Sequence, residues 1–224
     1  MKISIIVPTY NEEACIARAL AALLALEGDF EVRVADGGST DRTVEIARGM
    51  GVPVVEGARG RGPQMNRGAA GATGEVLLFL HADTLLPPDA YHRVAEALTD
   101  PAVAGGCFRL SFDHDHRFLR FSAFLTRFSF RLFHYGDGGY FVRAGIFREL
   151  GGYRPYPIME DLDLWLRLLR AGRTVVVPAS VVASARRFRR NGVYRQQLLG
   201  VVLVLLFLAG VKPHTLKRFY SEVR

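Results

Sequence analysis

Residues 3–7, Ile-Ser-Ile-Ile-Val, form a β-branched apolar run that Pro8-Thr9-Tyr10-Asn11 interrupts. Such a run fits a strand buried on both faces of a parallel sheet. From Glu12 to Leu26 the period becomes that of an Ala/Leu-rich helix, and Phe30 to Ala35 reads as a second strand. The turn Asp36-Gly37-Gly38-Ser39-Thr40-Asp41 leads into a helix over about 41–50, with Ser39 or Thr40 as its N-cap. Val52 to Val55 is a short strand, Gly57 to Gly62 a glycine- and arginine-rich loop, and Gln64 to Ala72 a helix. Glu75 to Leu80 is a fourth apolar run ending at His81-Ala82-Asp83-Thr84, after which Pro87 and Pro88 open a helix to about Leu98.

This alternation predicts an α/β fold: an open, mostly parallel twisted sheet flanked by helices. Ligands of such sheets bind beyond the carboxyl ends of the strands. Three polar clusters fall there, at Thr9–Glu12, Asp36–Asp41 and His81–Thr84. The second half is less regular. Val103 to Phe112 alternates as a strand, and Arg117 to Phe133 reads as a phenylalanine-rich helix. A Gly136–Gly139 loop precedes a strand over Tyr140–Val142, and Ile146–Leu150 is a short helix. Glu160–Ala171 is a helix closed by Gly172, and Thr174–Val177 a strand ended by Pro178. No repeat or low-complexity linker divides residues 1–190, which are taken as one domain, with 191–224 as a helical tail. Residues 198–209 carry no charge, but the apolar stretch ends at Val211 and is short of the roughly 20 residues of a spanning helix. Three readings of it stand: a helix packed on the domain, an interfacial helix flanked by Arg189, Arg190, Arg195 and Lys212, and, least favoured, a transmembrane span.

Composition sharpens this picture. Half of the 224 residues are hydrophobic, as in an ordinary folded domain. The net charge of +7 is unevenly spread: residues 1–100 hold 9 Lys+Arg against 14 Asp+Glu, and residues 101–224 hold 20 against 8. A cation suits the acidic half; phosphates or an anionic membrane surface suit the basic half. No familiar nucleic-acid-binding motif accompanies the arginines, so nucleic acid is not expected as a partner. Cys15 and Cys107 match no metal spacing, and a reducing compartment is the default. The first residues do not read as a secretory signal, which gives a cytoplasmic expectation.

The candidate chemistry lies in carboxylates at strand ends and helix starts: Asp36, Asp83, Asp137, Glu160 and Asp161. Asp83 follows a buried apolar run, so it emerges at the ligand-binding edge, where it contacts a ligand or hard cation, or else caps the next turn. Mg²⁺ and Mn²⁺ often use only one or two carboxylates plus substrate phosphates. His81 is a further ligand candidate, or a structural histidine. Glu160 and Asp161 begin a helix, where macrodipole complementarity explains them as well as catalysis does. Asp163 and Arg167, four apart, are expected to form an exposed pair. Gly60-Arg61-Gly62 matches no standard phosphate loop. Arg186-Arg187 and Arg189-Arg190 make a basic cluster, either solvated or anion-binding.

Taken in order, these motifs resemble the family-2 glycosyltransferases, an inverting group with the GT-A fold. Ile5-Ile6-Val7-Pro8-Thr9-Tyr10-Asn11-Glu12-Glu13 resembles their first strand and nucleotide loop, and Asp36-Gly37-Gly38-Ser39-Thr40-Asp41 their second-strand motif. Leu80-His81-Ala82-Asp83-Thr84 stands where the family has its Asp-x-Asp metal motif, with His81 in place of the first Asp. Met159-Glu160-Asp161 stands where the family has the pair containing its catalytic base. Gly62-Pro63-Gln64-Met65-Asn66, Gly136-Asp137 and Ser184-Ala185-Arg186-Arg187-Phe188 also resemble a bacterial subgroup described as selenodomain-associated transferases; Gly138 stands where that subgroup has a glutamine.

The resemblance implies a hexosyltransferase using a nucleotide-diphosphate sugar, UDP-linked by preference, and an unidentified hydroxyl acceptor, lipid-linked in one version. Residues 1–100 would be the nucleotide-binding half and 101–190 the acceptor and catalytic half. Pro8, Thr9, Asn11, Glu12, Asp36, Arg61, Asn66, Ala82 and Asp83 would bind the nucleotide sugar. Asp83, with His81 in a secondary place, would hold Mg²⁺ or Mn²⁺. Asp161, beside Glu160, would be the general base, and Asp137, Arg186 and Arg187 would face the diphosphate or the acceptor. The tail, over 191–212, would touch the inner face of the cell membrane. A nucleotidyltransferase is disfavoured because Pro8-Thr9-Tyr10-Asn11 replaces its glycine-rich loop; a non-catalytic nucleotide-sugar-binding protein of the same fold is the other alternative.

Overall fold

The computed structural model describes residues 1–127 and 138–220. In chain order the elements are β1 (Ile3–Thr9), α1 (Glu13–Leu24), β2 (Phe30–Asp36), α2 (Thr43–Gly49), β3 (Val54–Glu56), α3 (Arg61–Ala70), β4 (Val76–Phe79), β5 (Thr84–Leu85) and α4 (Ala90–Ala97). Then come β6 (Val103–Phe112), α5 (Arg117–Leu125), β7 (Tyr140–Arg143), α6 (Ala144–Glu149), α7 (Glu160–Ala171), β8 (Arg173–Ala183), α8 (Arg186–Asn191), α9 (Val193–Leu208) and α10 (Pro213–Leu216), followed by a 3₁₀ turn at Lys217–Phe219.

Among the described residues the strands form one sheet in the order β3-β2-β1-β4-β7-β6-β8-β5. The pairs β3–β2, β2–β1, β1–β4 and β6–β8 are parallel; β4–β7, β7–β6 and β8–β5 are antiparallel. The first half is thus the expected parallel β/α unit, and the antiparallel β7 joins it to the second. Both faces of the sheet are covered, and the strands divide their side chains by the two-residue period. Ile3, Ile5, Val7 and Leu78 enter one core cluster with Ile16 and Leu20 of α1. Ile6, Leu77 and Phe79 enter the other with Met65 of α3 and Leu164 and Leu168 of α7.

Several local expectations are corrected. Neither Ser39 nor Thr40 caps α2: Arg42 occupies the cap without a side-chain bond. The first turn is held by Asp41 instead, whose Oδ1 accepts from the Thr43 amide at 3.0 Å. Helix α3 starts at Arg61, so the Gly-Arg-Gly segment is a loop only up to Gly60. Pro178 does not end β8, which runs to Ala183. Phe108 pairs with Val177 and Arg109 with Ser180, so Pro178 and Ala179 are bulged out of the β6 ladder. A bulge is where a strand tolerates proline, because no ladder bond needs its missing N–H. Asp163 and Arg167 are not exposed: their side chains are 7% and 11% accessible, and Asp163 is also paired to Arg154. Residues 128–137, the second half of the expected phenylalanine-rich helix and the Gly136-Asp137 motif, lie outside the described residues.

The tail returns across the domain. Leu203 of α9 and Leu216 of α10 are buried against Ile158, in the loop before α7. No helix among the described residues is long and apolar enough to cross a membrane. Helix α9 nevertheless presents Tyr194, Leu198, Val201, Val202 and Leu205 to solvent, next to exposed Phe121 and Phe124 of the adjoining α5.

Candidate active site

Chain direction brings the carboxyl ends of β1, β2 and β4 to one edge. Beyond β1, Asn11 adopts a left-handed conformation (φ 52°), and its Oδ1 accepts from the Thr40 amide at 2.8 Å. The Asn11 amide donates to Ser39 Oγ, and the Glu12 amide to Thr43 Oγ1. The loops after β1 and β2 are therefore laced into one another. Asp36 is the knot: fully buried, its carboxylate accepts from Thr9 Oγ1, Ser39 Oγ and the Gly38 and Ser39 amides at 2.6–2.9 Å. Gln64 of α3, also buried, donates through Nε2 to Thr9 O (2.7 Å) and Ala35 O (2.9 Å) and accepts from the Gly60 amide (3.1 Å). One side chain so ties together the ends of two strands and the Gly57–Gly60 loop.

Helix α7 enters from the other half. Its N-cap, Met159, is held left-handed (φ 66°), a conformation costing a non-glycine residue about 1–3 kcal/mol. This turn aims the first residues of α7, Glu160 and Asp161, at the cavity; both are almost fully buried. At its back, the close packing of α3 leaves no room for a side chain at Gly62, where a Cβ would lie 2.6 Å from Arg154 O. Asn66 bonds the Tyr153 backbone twice, at 2.8 Å each way, and so fixes the same loop.

Between these walls is a cavity of about 320 Å³. Of the sequence-predicted residues, Pro8, Thr9, Glu12, Arg61, His81, Ala82, Asp83, Glu160, Asp161, Arg186 and Arg187 line it. Asn11, Asp36 and Asn66 do not; their polar groups hold the surrounding loops. Asp137 lies outside the described residues. Arg186 spans the centre. It donates to both carboxylate oxygens of Glu12 (3.0 and 3.2 Å), and its Nη2 lies 3.2 Å from Asp83 Oδ2. Although burial opposes its charge, the hydrogen bonds it donates to Glu12 and the charge of the nearby Asp83 raise the guanidinium above its ordinary value. Arg61 Nη1 lies 3.4 Å from Glu160 Oε1. Burial, then the Glu12 carboxylate, pushes the Cys15 thiol up to about 12, so it stays protonated beside the site.

Sequence reasoning missed part of the lining. Gln64, Arg59 and Tyr10 reach the cavity from the first half, and Gln196, Leu203, Lys217 and Tyr220 reach it from the tail. Among the described residues no three His, Cys, Asp or Glu side chains are grouped as a metal cage. Asp83 is still compatible with a hard cation, because one carboxylate with substrate phosphates completes many such sites.

This arrangement has counterparts. Residues 4–150 match the family model for glycosyl transferase family 2. An uncharacterised glycosyltransferase of Nostoc is 34% identical over 113 residues, covering 47% of this chain and 35% of the relative. The PGL/p-HBAD biosynthesis glycosyltransferase of Mycobacterium tuberculosis is 33% identical over 175 residues, covering 73% of this chain and 68% of that one. The chain thus spans about a third of the first relative and two thirds of the second. The mannosyltransferase of Pyrobaculum calidifontis, solved with GDP-Man and Mn²⁺, superimposes with a TM-score of 0.72 at 21% identity over 95% of this chain and 66% of its own, which shows the same GT-A fold. With the family model spanning well over half of its length, this chain belongs to glycosyl transferase family 2.

Proposed function

We propose that the protein transfers a hexose from a nucleotide-diphosphate sugar, UDP-linked by preference, to an acceptor hydroxyl with inversion at the anomeric carbon. The observation that carries this reading is that Asp83 and Asp161, from opposite halves of the sheet, line one cavity with Arg186 between its walls. The acceptor oxygen attacks the anomeric carbon, its proton passes to Asp161, and the bond to the diphosphate breaks with its electron pair leaving on the nucleotide. A single displacement inverts the centre, as in inverting glycosidases.

Asp161 suits the base because the N-terminus of α7 favours its ionised form. The neighbouring Glu160 is engaged by Arg61. Asp83 would hold Mg²⁺ or Mn²⁺, which supplies charge neutralisation at the departing diphosphate when bound. Arg186 and Arg187 present guanidinium groups to the same phosphates. The Mn²⁺ and GDP-Man of the structural neighbour support the cation and the class of donor without fixing the base.

The acceptor in this reading is lipid-linked, and the exposed apolar face of α9 and α5 meets the boundary of an anionic membrane at the cytoplasmic side. Its support is the exposed Arg117, Arg120, Arg195 and Lys212 around that face, which complement anionic headgroups.

The testing variant is Asp161→Asn. Turnover of nucleotide sugar falls by at least about a hundredfold, the lower end of a general base's contribution, while calorimetric donor affinity stays within about threefold. Turnover at the wild-type rate removes Asp161 from the mechanism. Retained binding without any turnover in the wild type favours the non-catalytic alternative.

A further inference from the structure

The cavity has a charged side and an uncharged one. Its acids and bases come from the loops after β1 and β4, the start of α3 and the loop before it, the start of α7, α8 and the final 3₁₀ turn. Among the described residues, β6, α5 and α9 send only uncharged residues to it. On α9 these include Gln196, Gly200 and Leu203, spaced i, i+4, i+7 and therefore on one face. Leu203 packs on Ile158, so this face borders the segment that leads into Glu160 and Asp161, and Gly200 puts no side chain between its neighbours. Gln196 is only 8% exposed. Its Oε1 accepts from Asn191 Nδ2 at 2.8 Å, at the corner between α8 and α9. That bond fixes the amide and leaves Nε2 without a partner among the described residues. A glutamine that only held the corner would use just this one end. Buried polar atoms are nearly all paired, so an open N–H donor on a cavity wall is a recognition group. Ser122 of α5 adds a hydroxyl that no other described side chain engages. The rings of Phe112 and Phe188, edge to face with centroids 5.2 Å apart, line the same cavity. Neutral hydrogen-bonding groups with aromatic rings suit a pyranose, which has apolar C–H faces and an edge of hydroxyls. An anion gains more from the arginines, where its hydrogen bonds are charge-assisted.

We infer that Gln196 is a specificity residue for the acceptor: its Nε2 donates to a hydroxyl of an uncharged sugar held against the wall of β6, α5 and α9, and Asn191 keeps the amide in place. The tail then selects what the enzyme modifies. The inference rests on the glycosyl-transfer reading in one respect, since it makes this sugar the head of the lipid-linked acceptor that receives the hexose.

The test is saturation-transfer NMR on the full chain, with and without UDP or GDP and Mg²⁺. The probes are the methyl glycosides of glucose, galactose, mannose and N-acetylglucosamine, with glycerol 3-phosphate as an anionic control. At least one glycoside binds the wild type. Gln196→Met, which keeps the length and removes the amide, weakens that binding about tenfold, the upper end for one neutral hydrogen bond. Calorimetric nucleotide affinity stays within about twofold. Among monodeoxy analogues of the bound glycoside, one binds wild type and Gln196→Met equally, because it lacks the hydroxyl that Gln196 reads. Asn191→Ala, which releases the amide, lowers glycoside affinity in the same direction. The inference is overturned if no glycoside binds, if neither variant changes glycoside affinity, if Gln196→Met weakens only glycerol 3-phosphate, or if it weakens every deoxy analogue to the same degree, as a purely structural glutamine would. Glycoside binding that depends on Gln196 in a chain that binds no nucleotide leaves the sugar site standing and removes the glycosyl-transfer reading.

Discussion

Gln64 offers a sharp test of how the site is assembled, because its two ends do opposite work. Nε2 donates to two carbonyls at 2.7 and 2.9 Å, and Oε1 accepts one amide at 3.1 Å, all at a side chain 3% exposed. Gln64→Ala deletes three hydrogen bonds at about 1 kcal/mol each, for a loss of about 3 kcal/mol. At this chain length that lowers Tm by roughly 6–12 °C. Gln64→Glu is nearly isosteric and keeps the bond to Gly60, yet it should be worse. It sets a carboxylate oxygen against the Thr9 and Ala35 carbonyls, and a buried charge without a partner costs about 3–5 kcal/mol on top of the two lost bonds. Burial and the facing carbonyls raise the folded pKa of the new carboxyl above the unfolded value of about 4.3. The charge penalty is therefore absent below that unfolded value and grows as pH rises through the folded pKa. Thermal and urea unfolding of the two variants from pH 5 to pH 8 checks this. Gln64→Glu must be the less stable at pH 8, with the gap narrowing toward pH 5; equal or greater stability of Gln64→Glu at pH 8 refutes the reasoning.

Two further outcomes follow from packing. Asp163→Ala leaves Arg167, 11% exposed and 2.8 Å from the lost carboxylate, without its charge partner, and urea unfolding should register a loss of about 3–5 kcal/mol; a change below 1 kcal/mol would mean the pair is solvated after all. The intact chain should float with anionic vesicles and stay behind with neutral ones, and Leu198→Glu/Leu205→Glu, which alters only exposed positions, should abolish flotation. Flotation unchanged by that pair removes α9 as the contact.

The parallel half of the fold was legible because a strand covered on both faces must be apolar at successive positions, as Ile5-Ile6-Val7 and Leu77-Leu78-Phe79 are. Its polar punctuation then had to fall at strand ends, which put Asp83 and Glu12 on the cavity wall. Residue type alone said less about local partners: the side chains of Asp36 and Asn66 bond backbone and neighbouring hydroxyls around the cavity, and only the three-dimensional partners reveal it. Pro178 reads as a strand end unless the two-residue bulge opposite β6 is known. Asp163 and Arg167 looked solvent-facing because their spacing says nothing of Arg154 arriving from an earlier loop. Lys217 and Tyr220 gave no signal: they sit on a short turn without periodicity, and chain reversal after α9 is what brings them to the site.

The bond between Arg186 and Glu12 joins residues 174 positions apart. During synthesis at about 5–20 residues per second, the first loop waits roughly 9–35 s for its arginine to be made. Until then Glu12 and Asp83 lack the guanidinium that joins them, and the core cluster that holds β1 and β4 still awaits Val177 and Val181, so this edge of the sheet is completed only late in synthesis.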